Sequence, residues 1–337
     1  MRFGVFDHMD RGPQALGAFY ESRLRLVEAY DRAGFYGYHV AEHHATPLGH
    51  APSPGIFLAA VAQRTRRLRF GPLVYLLPLY HPLRLIDEIC MLDQMSGGRF
   101  ELGVGRGISP IELSLFGLDP EQAPEMYAEA LEILLQGLRG NSVDFAGKHF
   151  RYENVPLELA PVQLPHPPLW YGIGRADAAA WAVARGMNIV SNLPAAGVRP
   201  ITDRYRAEWA AAGQSPEKIP LMGVVRHVVV AETDAEAARI AAHGYPRWRE
   251  SFLHLWLKHG TLLPTPSAMP AETFAAAEAS GRAIAGTPEK VSSFIRREIE
   301  AAGVNYLLCR FAFGDIAEDE ALQSVRLFSR DVMPAFT

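Results

Sequence analysis

Eight apolar, strand-like runs alternate with eight helix-period segments, and this predicts an α/β fold of the (β/α)8 TIM-barrel type with insertions. Two other observations agree. The 337 residues suit one barrel of roughly 250 residues plus additions, and no stretch reads as an interdomain linker. A single domain over 1–337 is therefore expected, with insertions near 142–160 and 257–286. With 49% apolar residues and a formal charge of −4, the chain can bury a large core and is not expected to be disordered. The slight acidity argues against a bulk electrostatic grip on nucleic acid or an anionic membrane. No apolar run approaches the roughly 20 residues of a membrane span. The opening MRFGVFDHMD is unlike a signal peptide, and Cys90 and Cys309 lie far apart. A cytoplasmic protein is expected.

The elements follow in order. Residues 2–6 form a first strand ending at Asp7 and His8. Leu16, Phe19, Leu24, Val27 and Tyr30 repeat at helical spacing, with Gly34 at the C-cap position. Residues 36–41 are a strand running into Glu42, His43 and His44, and a helix starts near Pro54. The third strand spans 68–77, where Pro78 limits it. Pro82 opens a helix that stops at Ser96-Gly97-Gly98. Residues 100–104 are the fourth strand, closed by Gly105-Arg106-Gly107, and a helix covers 124–138. Residues 143–156 read as a β-hairpin. Strands are then expected at 169–173, 188–191, 222–231 and 305–311. Helices are expected at 176–185, 201–212, after the capping-box pair Thr233/Glu236, from Thr287-Pro288 to Gly303, and at 318–332. Residues 261–285, rich in Ala, Pro and Thr without a period, read as an insertion.

Barrel function sits where the strands end. The polar residues there are Asp7 and His8, then Glu42, His43 and His44, then Arg106, and then Gly174, Arg175, Ser191 and Asn192. Adjacent residues of an extended chain point to opposite sides, so His43 and His44 are poorly placed to share a metal ion, and none is expected. Gly103, Gly105 and Gly107 lack the G-x-G-x-x-G spacing of a dinucleotide loop. They fit close backbone approach to a flat or phosphorylated ligand, with Arg106 either forking a phosphate or facing solvent. Residues 172–177 read as strand, turn and helix start, where unpaired N–H groups favour an anion. Asp177 there serves equally well to stabilise the helix N-terminus.

AEHHATPLG (41–49), RRLRFGPLVYLLPLYHPLRLIDEICMLDQMSGGRFELGVGRG (66–107) and GKHFRYENVPLELAPVQLPHPPLWYG (147–172) resemble the bacterial luciferase-like flavin monooxygenases, the group of the luciferase α-subunit. The resemblance implies reduced, diffusible FMN from a separate flavin reductase, O2 as oxidant, and a small, mostly apolar substrate such as an aldehyde or alkane. It places the catalytic histidine at His43, with His44 as the alternative, and the phosphate-binding arginine at Arg106. Gly105 stands where luciferase has a reactive, nonessential cysteine. A second phosphate segment falls on 174–178, where Gly174, Arg175 and Ala178 replace acidic and hydroxyl side chains. The resemblance also implies a non-prolyl cis bond at Leu73–Val74 against the flavin. It further implies a homodimer through the helices after strands 2 and 3, where Ala59, Ala60 and Ala62 offer small contacts. Asp7, His8 and Glu42 are expected near flavin or substrate, with Glu42 or Asp7 orienting the His43 ring. The alternatives are a deazaflavin-dependent hydride-transfer enzyme and a noncatalytic flavin-binding subunit. Retention of His43 and Arg106 speaks against the second.

Overall fold

A computed structural model of the protein describes residues 1–10, 12–261, 263 and 269–336. Its strands are β1 (Arg2–Asp7), β2 (Gly37–Val40), β3 (Arg69–Pro72), β4 (Tyr75–Leu76) and β5 (Leu102–Gly105). After them come β6 (Ser142–Ala146), β7 (Arg151–Pro156), β8 (Leu169–Gly172), β9 (Asn188–Ser191), β10 (Met222–Val230), β11 (Ala283–Gly286) and β12 (Tyr306–Arg310). The sheet runs β3-β2-β1-β12-β10-β9-β8-β5-β4, with every neighbour parallel. A bridge from Phe70 to Phe100 brings the path nearly back on itself. The barrel is thus nearly closed, as the alternation predicts. β6 and β7 form a separate antiparallel hairpin. Among the described residues, no helix is long and apolar enough to cross a membrane.

The helices that matter to the site begin with α1 (Leu16–Ala33), α2 (Pro54–Arg64), α3 (Pro82–Ser96), α4 (Pro110–Leu115) and α5 (Ala123–Arg139). They continue with α6 (Ala179–Val183), α7 (Ala195–Ala211), α8 (Asp234–Lys258), α9 (Phe274–Ala279), α10 (Pro288–Ala302) and α11 (Glu318–Leu327). Gly34 ends α1 at φ +81°, where a Cβ would be strained, and Gly97 ends α3 in the same left-handed way. Thr233 caps α8 by accepting the Glu236 N–H at 3.2 Å. Strand residues packed on both faces need no polar alternation, which is why all nine residues of β10 are buried although Arg226 and His227 interrupt its valines.

Four expectations need correction. The third strand does not run unbroken over 68–77: β3 ends at Pro72, the Leu73–Val74 bond is cis, and β4 resumes for two residues. The segment 261–285 is more than an insertion, because it supplies α9 and then β11, which pairs parallel to β10 from His227↔Ala283 to Val230↔Gly286. Four small residues, Ala-Ile-Ala-Gly, carry too little β-branched character to announce a strand. Residues 262 and 264–268 of that segment lie outside the described residues. α7 starts at Ala195, six residues earlier than expected, and carries Pro200 within it. The helix expected at 176–185 is a 3-10 turn (Ala176–Ala178) followed by the short α6.

The barrel interior is plugged at its N-terminal half. Glu101 is fully buried and accepts from the Tyr36 hydroxyl at 3.0 Å, from the Trp170 indole and from Arg69. Tyr306 fills the space beside Gly4, where an added Cβ would fall 1.7 Å from its hydroxyl. These side chains fill the N-terminal half of the barrel interior and leave the polar residues that follow the strands at the opposite end.

Candidate functional site at the barrel mouth

His43 and His44 follow β2, and each is held by a different carboxylate, as the alternation of an extended chain requires. The His43 Nδ1 lies 3.3 Å and 3.4 Å from the two oxygens of Glu112. The His44 Nε2 lies 2.9 Å from Glu42 Oε1, and its ring stands edge-on to Phe116 at 4.7 Å. Glu42 Oε2 also accepts the Leu76 N–H and the Tyr80 hydroxyl, each at 3.0 Å. Burial raises the Glu42 pKa, against these donors. Glu42 therefore clamps β4 to the end of β2, and its role as the residue that orients His43 is not seen.

Glu112 takes that role, and sequence reasoning missed it. It lies on α4, whose start Ser109-Pro110-Ile111-Glu112 has capping-box spacing. Ser109 does cap, accepting the Glu112 N–H at 3.3 Å. The Glu112 side chain turns instead to His43 and to the His44 backbone N–H, 2.6 Å away. Burial raises its pKa, but the His43 contact and the other donors outweigh burial and hold it below the usual carboxylate value. Glu112 is thus ionised and accepts from Nδ1–H. An ionised carboxylate can only accept, so Nδ1 carries the hydrogen of this contact, and Nε2 has no hydrogen-bond partner among the described residues.

Asp7 also departs from expectation. Its oxygens accept the Met9 N–H at 2.7 Å and the Tyr38 hydroxyl at 3.1 Å, and Arg23 of α1 stands 3.5 Å away. These contacts join β1 to α1 and β2, so Asp7 is a structural anchor. His8 does face the site, with its ring 5.8 Å from that of His43. Trp248 of α8 donates its indole N–H to His8 Nδ1 at 3.1 Å. Burial first, then Arg310, His43 and His227, keep the His8 pKa far below the ordinary value, so the ring is neutral and carries its proton on Nε2.

Beyond β3 and β4, β5 delivers Gly103, Gly105 and Arg106. A Cβ on Gly103 would sit 2.1 Å from the Pro72 carbonyl oxygen, and one on Gly105 would sit 2.4 Å from Val74. These glycines are therefore required by the close passage of β5 along Pro72, Leu73 and Val74, a reason internal to the barrel. Leu73 is buried among the residues that line the barrel interior, and Val74 packs partly against them. Arg106 is exposed and makes no hydrogen bond or ion pair among the described residues, so its fork is available. Gly174 and Arg175 follow β8, the neighbour of β5. Gly174 is exposed and has nothing within 4 Å of where a Cβ would be. Arg175 is exposed and paired with Asp177, so it is less available than Arg106.

This set fits a phosphorylated flat ligand: a free guanidinium and an uncrowded turn on neighbouring strands, a backbone bend beside them, and an unpartnered histidine nitrogen at the end of β2. Residues 1–306 match the luciferase-like monooxygenases. The chain is 45% identical to the uncharacterized protein y4wF of Sinorhizobium fredii, over 99% of this chain and 96% of that one. It is 31% identical to the 4-hydroxyprotoasukamycin monooxygenase of Streptomyces nodosus subsp. asukaensis, over 93% of this chain and 86% of that one. In fold it resembles the oxygenating constituent of 3,6-diketocamphane monooxygenase of Pseudomonas putida, solved with FMN, with a TM-score of 0.83 at 22% identity over 100% and 99% of the two chains. The F420-dependent tetrahydromethanopterin reductase of Methanopyrus kandleri shares the fold at a TM-score of 0.71 and 18% identity, over 100% and 99%. The chain belongs to the luciferase-like monooxygenase family.

Proposed function

We propose that the protein is a cytoplasmic oxygenase component that takes reduced FMN from a separate reductase and uses O2 to oxygenate a small, mostly apolar organic molecule. The observation that carries this reading is the shared mouth: the free Arg106 guanidinium after β5 and the His43–Glu112 pair after β2, with only β3 and β4 between those strands. Bound reduced FMN would supply the electrons that activate O2. Arg106 would hold its phosphate through a charge-assisted fork, and the segment around Leu73 and Val74 would support one face of the ring. His43 Nε2 accepts or returns a proton, since imidazole does either near neutral pH at moderate driving force. Glu112 keeps that ring oriented and stabilises its cationic form. The buried aromatic side chains Phe6 and Trp248 exclude water.

A deazaflavin-dependent hydride transfer is the second reading, favoured by the fold shared with an F420-dependent reductase. Reduced FMN consuming O2 with substrate oxygenation separates the two. Arg106→Ala is expected to weaken FMN by roughly 10- to 100-fold, about 1.5–3 kcal/mol, and to leave riboflavin little changed. Equal losses for both ligands, or NADH oxidation by the protein alone, would contradict the proposal. The reading includes a homodimer through α2 and α3, where Ile56, Met91 and Met95 are exposed. Ala59 and Ala60 are half-buried, while Ala62 packs into the barrel core. A monomer by light scattering at micromolar concentration would count against the dimer.

A further inference from the structure

Arg310, the last residue of β12, is nine-tenths buried, yet its side chain makes no hydrogen bond and no ion pair among the described residues. Its Nε is a buried donor without a partner. The guanidinium is held between aromatic faces, 4.9 Å from the Phe6 ring centre and 5.4 Å from that of Trp248. Such stacking fixes the plane of the fork and leaves its edge donors free for a planar anion. His227, opposite Arg310 in the β10–β12 register, also has a buried and unpartnered Nε2. These two residues and Asn192 line one narrow cavity together with Trp248 and Phe252.

An unpaired buried cation is costly, and native proteins keep one where a ligand supplies the opposite charge. Burial pushes the Arg310 pKa down to about 9, against the pull of Asp10, which lies beyond ion-pair distance. Asp10 itself accepts the Gly314 N–H. The neighbouring strand residue Arg226, by contrast, is paired with Glu298, 2.8 Å from its Nε.

The location narrows the ligand. In the barrel, β5 and β12 are four strands apart, so Arg310 stands across the mouth from Arg106. Trp248 and the His8 ring, tilted against Trp248 at 6.0 Å and against His43 at 5.8 Å, connect the Arg310 cavity to His43. A molecule anchored at Arg310 would lay an apolar body along these rings toward His43.

We propose that Arg310, flanked by His227 and Asn192, binds a carboxylate on the organic substrate and so orients its apolar body toward His43. The role of the anion as substrate rests on the oxygenase reading above; the binding site itself does not. The same fork could instead serve the delocalised anion of a reduced flavin, and the test separates the two sources.

The full-length protein is titrated calorimetrically with benzoate, phenylacetate and octanoate and with their three neutral amides, in the presence and absence of saturating oxidised FMN. At least one acid is expected to bind tenfold or more tightly than its amide. Arg310→Met is expected to abolish that preference while amide binding stays within twofold, and Arg310→Lys to retain part of it. Reduced FMN affinity is expected to be unchanged in both variants, with melting temperatures at or above that of the parent. The proposal is overturned by any of four results: no acid preferred in the parent, the preference surviving Arg310→Met, a loss of reduced-FMN affinity instead, or a marked fall in melting temperature that identifies Arg310 as a packing residue. Acid binding through Arg310 without any oxygenation by reduced FMN would leave the anion site standing and remove the oxygenase reading.

Discussion

On the proposed oxygenase reading, the residue-scale question is which nitrogen of His43 is left without a partner. Glu112 holds Nδ1, so Nε2 is the ring nitrogen without a partner among the described residues, while His44 is committed to Glu42 and to Phe116. His43→Ala is expected to bind FMN nearly normally while oxygenation falls at least ~100-fold and hydrogen peroxide release rises. An oxygen electrode with peroxide quantification reads both. Normal product yield there, with the defect in His44→Ala instead, would move the role one residue along. Glu112 is a positioning residue, so Glu112→Gln is expected to lower kcat by roughly tenfold with KM and FMN affinity little changed. Partial recovery in Glu112→Asp is expected, because a shorter carboxylate restores the charge but not the reach. A rise in KM without a fall in kcat would show that Glu112 acts on binding.

At the scale of elements, the site depends on β5 passing within backbone contact of the segment that joins β3 to β4. An alanine at Gly103 would drive its Cβ into the Pro72 carbonyl at 2.1 Å and to 3.2 Å from Leu73 Cα, and neither is the flexible end of a side chain. Gly103→Ala is therefore expected to cost about 1–3 kcal/mol of stability. Gly174→Ala has open space and a backbone that accepts a side chain, so its effect is expected to stay within about 0.5 kcal/mol. Urea denaturation midpoints compare them directly. Coincident midpoints would mean that the crowding at β5 relaxes freely.

The balance of buried charge at the mouth affects the molecule as a whole. Asp10 is fully buried, and burial, with Asp7 adding to it, raises its pKa to about 7 against Arg23 and the Gly314 N–H. The native state then holds a proton that the unfolded chain releases at its ordinary pKa of about 4. Stability must fall as pH rises between those values and level off above about 7. Asp10→Asn removes this titration. Relative to the parent, the variant is expected to gain a few kcal/mol between pH 4 and pH 8, as measured by chemical denaturation across that range. A parent curve that rises over the same interval would refute the assignment. Glu112 works with the opposite sign: its lowered pKa contributes stability that is present at neutral pH and lost as pH falls through the depressed value.

The chain by itself determined the eight barrel strands and the mouth at their ends. Those features are written in local periodicity, in Pro at helix starts and in Gly at helix ends, and they survive without knowledge of any distant contact. That His43 and Arg106 stand at the strand ends was legible for the same reason, whereas their roles came from the family resemblance. What only the tertiary structure decided involves residues far apart in sequence. Glu112 reaches His43 across 69 positions, Asp7 is diverted to Arg23 and Tyr38, and Trp248 of α8 arrives beside His8 across 240. β11 forms where β10 runs on past Val224, the last residue it pairs with β9, a template that four small residues cannot specify alone. Arg310 carried a signal, one charge in the apolar run 305–311, but a charge in a strand is usually paired. That this one has no partner among the described residues is a fact of three-dimensional neighbours, and no spacing along the chain encodes it.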